Sequence, residues 1–155
     1  MISLHECSDL SSILELKADY LRGLIAPMDN MWEVGFTNAS PHWEIRSGGE
    51  RAGYYAANDQ GELLQFYVTP AFEREERALF DHVISQDSVT QAVVSTIDPS
   101  YLSLCLDVQE TVTVHTYLYE IASEAEPSEV KTESDLHFRL LEASELDRTV
   151  SFQQA

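Results

Sequence analysis

Residues 62–69 constrain the fold more than any other stretch of this chain. Leu63, Leu64, Phe66, Tyr67 and Val68 make a nearly continuous apolar run. A strand that is apolar on both sides needs cover on both faces, so a central position in a sheet is expected. Two further extended stretches lead into it. Residues 42–47 end at Gly48-Gly49-Glu50, where glycine permits the positive φ of a tight turn. Residues 51–57 form the returning strand, with Tyr54 and Tyr55 on opposite faces. Asn58-Asp59-Gln60-Gly61 supplies a second turn. Three antiparallel strands in a meander follow from this order.

Helical periodicity brackets the meander. Residues 9–25 predict an amphipathic helix, with Leu10, Ile13, Leu14, Leu21, Leu24 and Ile25 mostly on one face and Ser8 or Asp9 as its cap. Pro27 either ends that helix or opens a short second one carrying Met28, Met31 and Trp32. Residues 70–85 carry Phe72, Leu79, Phe80, Val83 and Ile84 on a helical stripe. Residues 91–97 read as a strand. A strand, a helix and a strand in succession predict a right-handed crossover, which sets this strand parallel to 62–69. Asp98-Pro99 starts a short helix through Asp107, and residues 111–121 alternate as a long strand. The expected fold class is α+β: a mixed, mostly antiparallel central sheet flanked by helices. The expected organisation is one domain over residues 1–122, an acidic loop or linker over 123–134, and a final strand and helix over 135–155.

Charge narrows the partners. The 155 residues include 27 Asp and Glu against 9 Lys and Arg, a formal net charge of -18. Such a surface repels phosphate backbones and anionic bilayers, so neither nucleic acid nor membrane is an expected partner. The charge either serves solubility alone or steers a small cationic amine or a basic protein partner, and a decoy for nucleic-acid-binding proteins is a weaker reading of it. Two cysteines make no disulfide framework. The first residues show no basic region followed by an apolar core, so a reducing cytoplasm is the expected location. The five histidines show no metal-ligand spacing, and no metal is expected.

Gly61-Glu62-Leu63-Leu64-Gln65-Phe66-Tyr67-Val68-Thr69-Pro70 resembles the fourth strand of the GNAT (Gcn5-related N-acetyltransferase) superfamily, which typically ends in Val-x-Pro. The resemblance covers roughly residues 8–121. It implies that this strand splays from the next parallel one and that acetyl-CoA lies in the opening. Backbone amides of Phe66, Tyr67 and Val68 would then hold the pantetheine arm and thioester, and Glu62 would be the general base. Tyr101 is either the general acid or a core-facing aromatic. Trp32, Trp43, Tyr54 and Tyr55, with Phe36, cluster where the family binds its acceptor; they either wall a cationic amine or pack the core.

The chain departs from the family at the next segment. Family members follow Val-x-Pro with a glycine-rich loop whose N–H groups cradle a pyrophosphate. Here the run is Ala71-Phe72-Glu73-Arg74-Glu75-Glu76-Arg77, without glycine. Its three carboxylates suit a bare helix start and repel a pyrophosphate; Arg74 and Arg77 are the only cations to offset them. Two functions are therefore expected alternatives. One is acetyl-CoA-dependent acetylation of an amine with weakened cofactor binding. The other is a non-catalytic binding or dimerisation module for a cationic ligand or basic partner. Residues 136–147 also resemble the opening of a second unit of the same kind; they either begin one or close this sheet. A sheet edge left open would favour a homodimer.

Overall fold

The structure is a computed structural model that describes residues 1–117. The chain divides into two units, Met1–Val112 and Thr113–Ala155, and every regular element described lies in the first. The expectations for residues 118–155, including the linker over 123–134 and the strand and helix over 135–155, lie outside the described residues.

The meander forms as its alternation requires. β2 (His42–Ser47), β3 (Glu50–Ala57) and β4 (Glu62–Val68) pair antiparallel in sequence order. Gly48 and Gly49 turn the first hairpin at φ +61° and +91°. An added edge strand, β1 (Ile2–Glu6), pairs antiparallel with β2. Ile2 and Leu4 pack against the main core, an alternation too short to have announced itself in the sequence.

The crossover strand is much shorter than residues 91–97. Only Gln91–Ala92 (β5) pairs with β4, parallel, opposite Glu62 and Leu63. The five strands lie in the order β1-β2-β3-β4-β5. The last rung is Val93 N–H donating to Leu63 C=O at 2.9 Å, after which the two segments part. The strand expected over 111–121 is also corrected in its described part. Residues 111–117 form no strand, and Val112, Val114 and Tyr117 are 64%, 61% and 71% exposed. Alternation makes a strand only where an edge is free to pair and a face is free to bury.

Helices cover both faces. Asp9 caps a 3-10 turn (Leu10–Ile13) by accepting from Ser11 N–H, and α1 (Leu14–Gly23) continues it. α1 ends at Gly23, before Pro27 is reached. A π-helical segment follows at Met31–Thr37, beyond Met28. After β4 the chain makes a 3-10 turn (Pro70–Glu75), then α2 (Glu76–Ile84). Asp98 caps α3 (Pro99–Val108) by accepting from Tyr101 N–H.

The sheet separates two cores. Ile45, Tyr55, Leu63 and Phe66 pack with Leu79, Phe80, Val83, Tyr101 and Leu104 of α2 and α3. On the other face Ile13, Leu16 and Tyr20 pack on Tyr54. Gly53 allows β3 to press on β4: a Cβ there would stand 2.0 Å from the Tyr67 carbonyl oxygen. That atom is backbone and cannot swing aside. Gly53→Ala is expected to lower stability by about 2–5 kcal/mol, seen as a lower urea midpoint with the slope unchanged.

Candidate functional site

The parting of β4 from the segment after β5 creates the one stretch of central-strand backbone that no strand covers. Thr69 N–H donates to Ala52 C=O. Antiparallel alternation then turns the backbone groups of Tyr67 and Gln65 toward β3 and those of Phe66 and Val68 toward the parting. β5 reaches only Glu62 and Leu63, so among the described residues the sheet gives the Phe66 and Val68 amides no partner. Of the three amides expected to hold a donor, those of Phe66 and Val68 point toward the parting and that of Tyr67 points toward β3.

The parting is held open by a side chain. Tyr101 Oη donates to Leu63 C=O at 2.8 Å, the same carbonyl that ends the parallel ladder. Tyr101 is 1% exposed and stacks near Phe66 and Phe80. Burial, then the neighbouring Cys105, hold its phenol well above the usual range. It is thus the core-facing aromatic of the two readings, and its proton is committed to Leu63. Cys105 beside it is itself pushed up to about 11 by burial, which keeps its thiol protonated and unreactive.

Asp98 sits where the parted segment enters α3. Its Oδ1 caps the helix, while Oδ2 is buried without a hydrogen-bond partner among the described residues. Burial raises its carboxyl above the ordinary aspartate range. Ile25 N–H donates to Ile97 C=O at 3.1 Å, tying the chain after α1 to the same segment. Sequence reasoning gave Asp98 only as the start of this helix; an N-cap aspartate gives no hint of what its second oxygen faces.

The start of α2 does not fit a pyrophosphate. No glycine opens a nest of N–H groups there. Glu75 accepts from Ser47 Oγ at 2.7 Å. The Glu76 carboxyl is raised by burial and then by the charges of Glu73 and Asp98, so negative charge is already crowded at this spot. Arg77 is spent on protein carboxylates, Asp81 at 2.8 Å and Asp107 at 2.9 Å, which strap α2 to α3. Arg74 is exposed and makes no ion pair among the described residues. The strand edge therefore fits the acyl end of a thioester donor, and the helix start does not fit its phosphates.

Glu62 stands at the turn end of β4. Its two oxygens accept from Asn58 Nδ2 at 2.6 Å and Gln91 Nε2 at 2.9 Å. A shallow depression of about 220 Å³ beside that turn is lined by Ala39, Ser40, Pro41, Asn58, Asp59 and Gln60.

The four aromatics expected to wall an acceptor are not brought together. Trp43 and Tyr55 stack at 4.8 Å on the α2–α3 face, whereas Tyr54 is fully buried on the α1 face. The period of two along β3 separates them. Trp32 lies on the π-helical segment against Phe36, with ring centroids 5.6 Å apart.

Tyr54 instead belongs to a buried polar network that sequence reasoning missed. Lys17 Nζ lies 3.1 Å from Glu33 Oε1, 3.2 Å from Gln65 Oε1 and 3.4 Å from His42 Nε2. Gln65 Nε2 donates to Glu33 Oε2 at 2.8 Å, and Tyr54 Oη donates to Gln65 Oε1 at 3.0 Å. His42 Nδ1 meets Ser40 C=O at 2.8 Å. Burial, then the Lys17 ammonium, push the His42 imidazole down to about 4. It is neutral at pH 7, so Nδ1 carries the proton and Nε2 is free to accept from Lys17. Burial pulls Lys17 below its ordinary value and Glu33 opposes that pull.

A family model for the acetyltransferase (GNAT) domain matches residues 9–122. A search of curated proteins gives no match. Among solved structures, an acetyltransferase from the GNAT family of Colwellia psychrerythraea is 34% identical with a TM-score of 0.63. The likeness covers 68% of this chain and 41% of that one, so the chain spans well under half the length of that relative. A ribosomal-protein-alanine N-acetyltransferase from Brucella melitensis biovar Abortus 2308 is 15% identical with a TM-score of 0.55, over 79% of this chain and 99% of that one; it shows likeness of fold. With β4 parted from its parallel neighbour and a domain match across three quarters of the sequence, the chain belongs to the GNAT acetyltransferase family.

Proposed function

We propose that the protein transfers an acetyl group from acetyl-CoA to a primary amine, with a donor site that grips the acyl end better than the phosphates. One observation carries this reading: the unpaired β4 edge, where the Phe66 and Val68 amides face the parting. Acetyl-CoA supplies an activated acyl thioester. Those two amides, fixed by the β3–β4 ladder, offer donors to its carbonyl oxygen and arm, and donors fixed in advance favour the oxyanion that develops there. Tyr101 keeps the gap at its width by holding Leu63. Glu62, through water, takes the proton of the attacking amine; the Asn58 and Gln91 amides hold its carboxylate in one orientation. Arg74 is the cation available to the phosphate end. Two free cysteines accord with the cytoplasm as its location. The outer edge of β1, unpaired among the described residues, supports a homodimer joined there.

The acidic start of α2 favours a second reading, a non-catalytic module for a cationic ligand or basic partner. Calorimetric titration with acetyl-CoA separates the two: saturable binding below about 1 mM supports transfer, and no heat up to that concentration supports the module.

Three further outcomes follow from the site. Replacing Glu73 and Glu76 together by glutamine is expected to tighten acetyl-CoA about three- to thirtyfold, since each carboxylate at a helix start is worth about 0.3–1 kcal/mol. Glu76 holds its proton to higher pH than an ordinary glutamate. Its repulsion therefore fades as pH falls, and donor affinity should rise from pH 7.5 to pH 5.5, with a smaller rise in Glu76→Gln. Glu62→Gln is expected to lower kcat by about 10²- to 10⁴-fold with acetyl-CoA affinity unchanged, as measured by thiol release and calorimetry.

A further inference from the structure

A bulge in β3 brings two arginines to one face of the sheet. β2 and β3 pair residue for residue from His42 with Ala56 to Ile45 with Gly53. The register then slips, so that Arg46 pairs with Arg51 and Ala52 is left over. Unbroken pairing would set Arg46 against Ala52 and turn Arg51 to the face of α2 and α3. The extra residue turns Arg51 to the α1 side instead, opposite Arg46. Like charges directly opposite each other are destabilising, and a bulge that re-aims a side chain is a built feature of a sheet.

Glu44 sets the pair. It is 6% exposed, and its two oxygens accept from Arg46 Nε and Arg51 Nε. One cation neutralises a buried carboxylate; the second leaves a surplus positive charge. The chain has 9 Lys and Arg against 27 Asp and Glu, and among the described residues no other carboxylate is held by two cations. The arginine side chains are 42% and 41% exposed. Of their terminal nitrogens only Arg46 Nη1 has a partner among the described residues, Gly49 C=O at 3.4 Å. The other N–H groups are open to a ligand, and planar guanidinium forks held in place match the oxygens of a phosphate. On β1, Ser3 pairs with Arg46 and His5 with Glu44, which adds a hydroxyl and an imidazole to the same face.

The left-over Ala52 also accepts from Thr69 N–H at 2.8 Å. The bulge thus ties down the end of β4 at the residue next to Arg51. The arginines lie on the opposite face of the sheet from the start of α2, whose acids repel phosphate, so the two places are separate.

We propose that Arg46 and Arg51, set by Glu44, bind a phosphate group on the α1 face of the sheet, with Ser3 as a further donor. Two sources carry that chemistry. One is the 3′-phosphate of acetyl-CoA, reached past Thr69 at the end of the bare β4 edge; the other is a free phosphate ester. The first source rests on the proposed transfer reaction, and the phosphate site itself does not.

Titration with inorganic phosphate, followed through the amide resonances of the whole chain, tests the site. In wild-type protein the Ser3, Gly49 and Arg51 amides should shift saturably with a midpoint below about 10 mM, and sodium chloride at matched ionic strength should leave them in place. Arg51→Gln should raise that midpoint at least about fivefold. Glu44 keeps Arg46 in this variant, so no buried carboxylate is stranded. Arg46→Gln leaves Arg51 on Glu44 and should behave alike. No saturable shift up to about 50 mM phosphate, the same shift with chloride, or an unchanged midpoint in both variants overturns the site. Affinities for acetyl-CoA and 3′-dephospho-acetyl-CoA identify the source. A wild-type preference for acetyl-CoA of at least about fivefold, abolished by Arg51→Gln, assigns the donor's phosphate. Equal affinities together with saturable phosphate binding assign a separate phosphate ester. Wild-type protein that binds neither thioester overturns the transfer reaction, while the phosphate titration still judges the arginine pair.

Discussion

The Leu63 carbonyl accepts from Val93 N–H at 2.9 Å and from Tyr101 Oη at 2.8 Å. The first bond is the final rung of the parallel ladder, and the second brings the Tyr101 hydroxyl of α3 to the same oxygen. A carbonyl has two lone pairs, and here they are shared between a strand and a helix. The consequence is geometric. α3 is anchored to the sheet at the point where the sheet stops being continuous, and β4 leaves that point with one edge bare. A central strand with an uncovered edge is costly inside a protein unless something is meant to bind there, because buried amides without partners are expensive. The opening is thus a property of the fold and not of a flexible loop.

What that opening can hold depends on charge at its far end. A glycine-rich turn offers N–H groups that no side chain competes for. The 3-10 turn Pro70–Glu75 offers side chains instead, and they are acids. Burial, then the charges of Glu73 and Asp98, hold the Glu76 carboxyl above its ordinary range, and Arg77 is drawn to Asp81 and Asp107. The helix start carries acids and no side-chain cap, which works against an anionic ligand. Scaffold and phosphate grip have come apart: β4 leaves one backbone edge bare, while the helix start carries acids and no glycine.

Much of this was legible before any coordinates. The two-residue period of β3, the unbroken apolar run of β4 and the paired glycines of the hairpin each act through neighbours in sequence, and each formed as expected. The absence of glycine after Pro70 was equally visible. Contacts between distant residues were not legible. Tyr101 reaches a carbonyl 38 residues away, and nothing local distinguishes that role from a proton donor's. Nothing local on the first helix marks Lys17, because its partners Glu33, His42 and Gln65 lie on three other elements. The same blindness split the aromatic cluster, since Trp43, Tyr54 and Tyr55 are neighbours on a strand pair but occupy two sides of a sheet. Alternation predicted that separation for Tyr54 and Tyr55, and only the resemblance had joined them.

The Lys17 network bears on how rigid the Met31–Thr37 segment can be. A buried ion pair gains little net stability, because the desolvation of both charges offsets their attraction. Removing one member is another matter, at about 3–5 kcal/mol, since the other is left buried and unpaired. A pair of this kind therefore specifies a conformation more than it stabilises one. Hydrophobic burial could settle the Met31–Thr37 segment in several registers, all with Val34 and Phe36 inward. The pairing of Glu33 with Lys17 excludes them, because each would bury the lysine alone. The chain has few cations, and one of them stands in the interior to fix those seven residues.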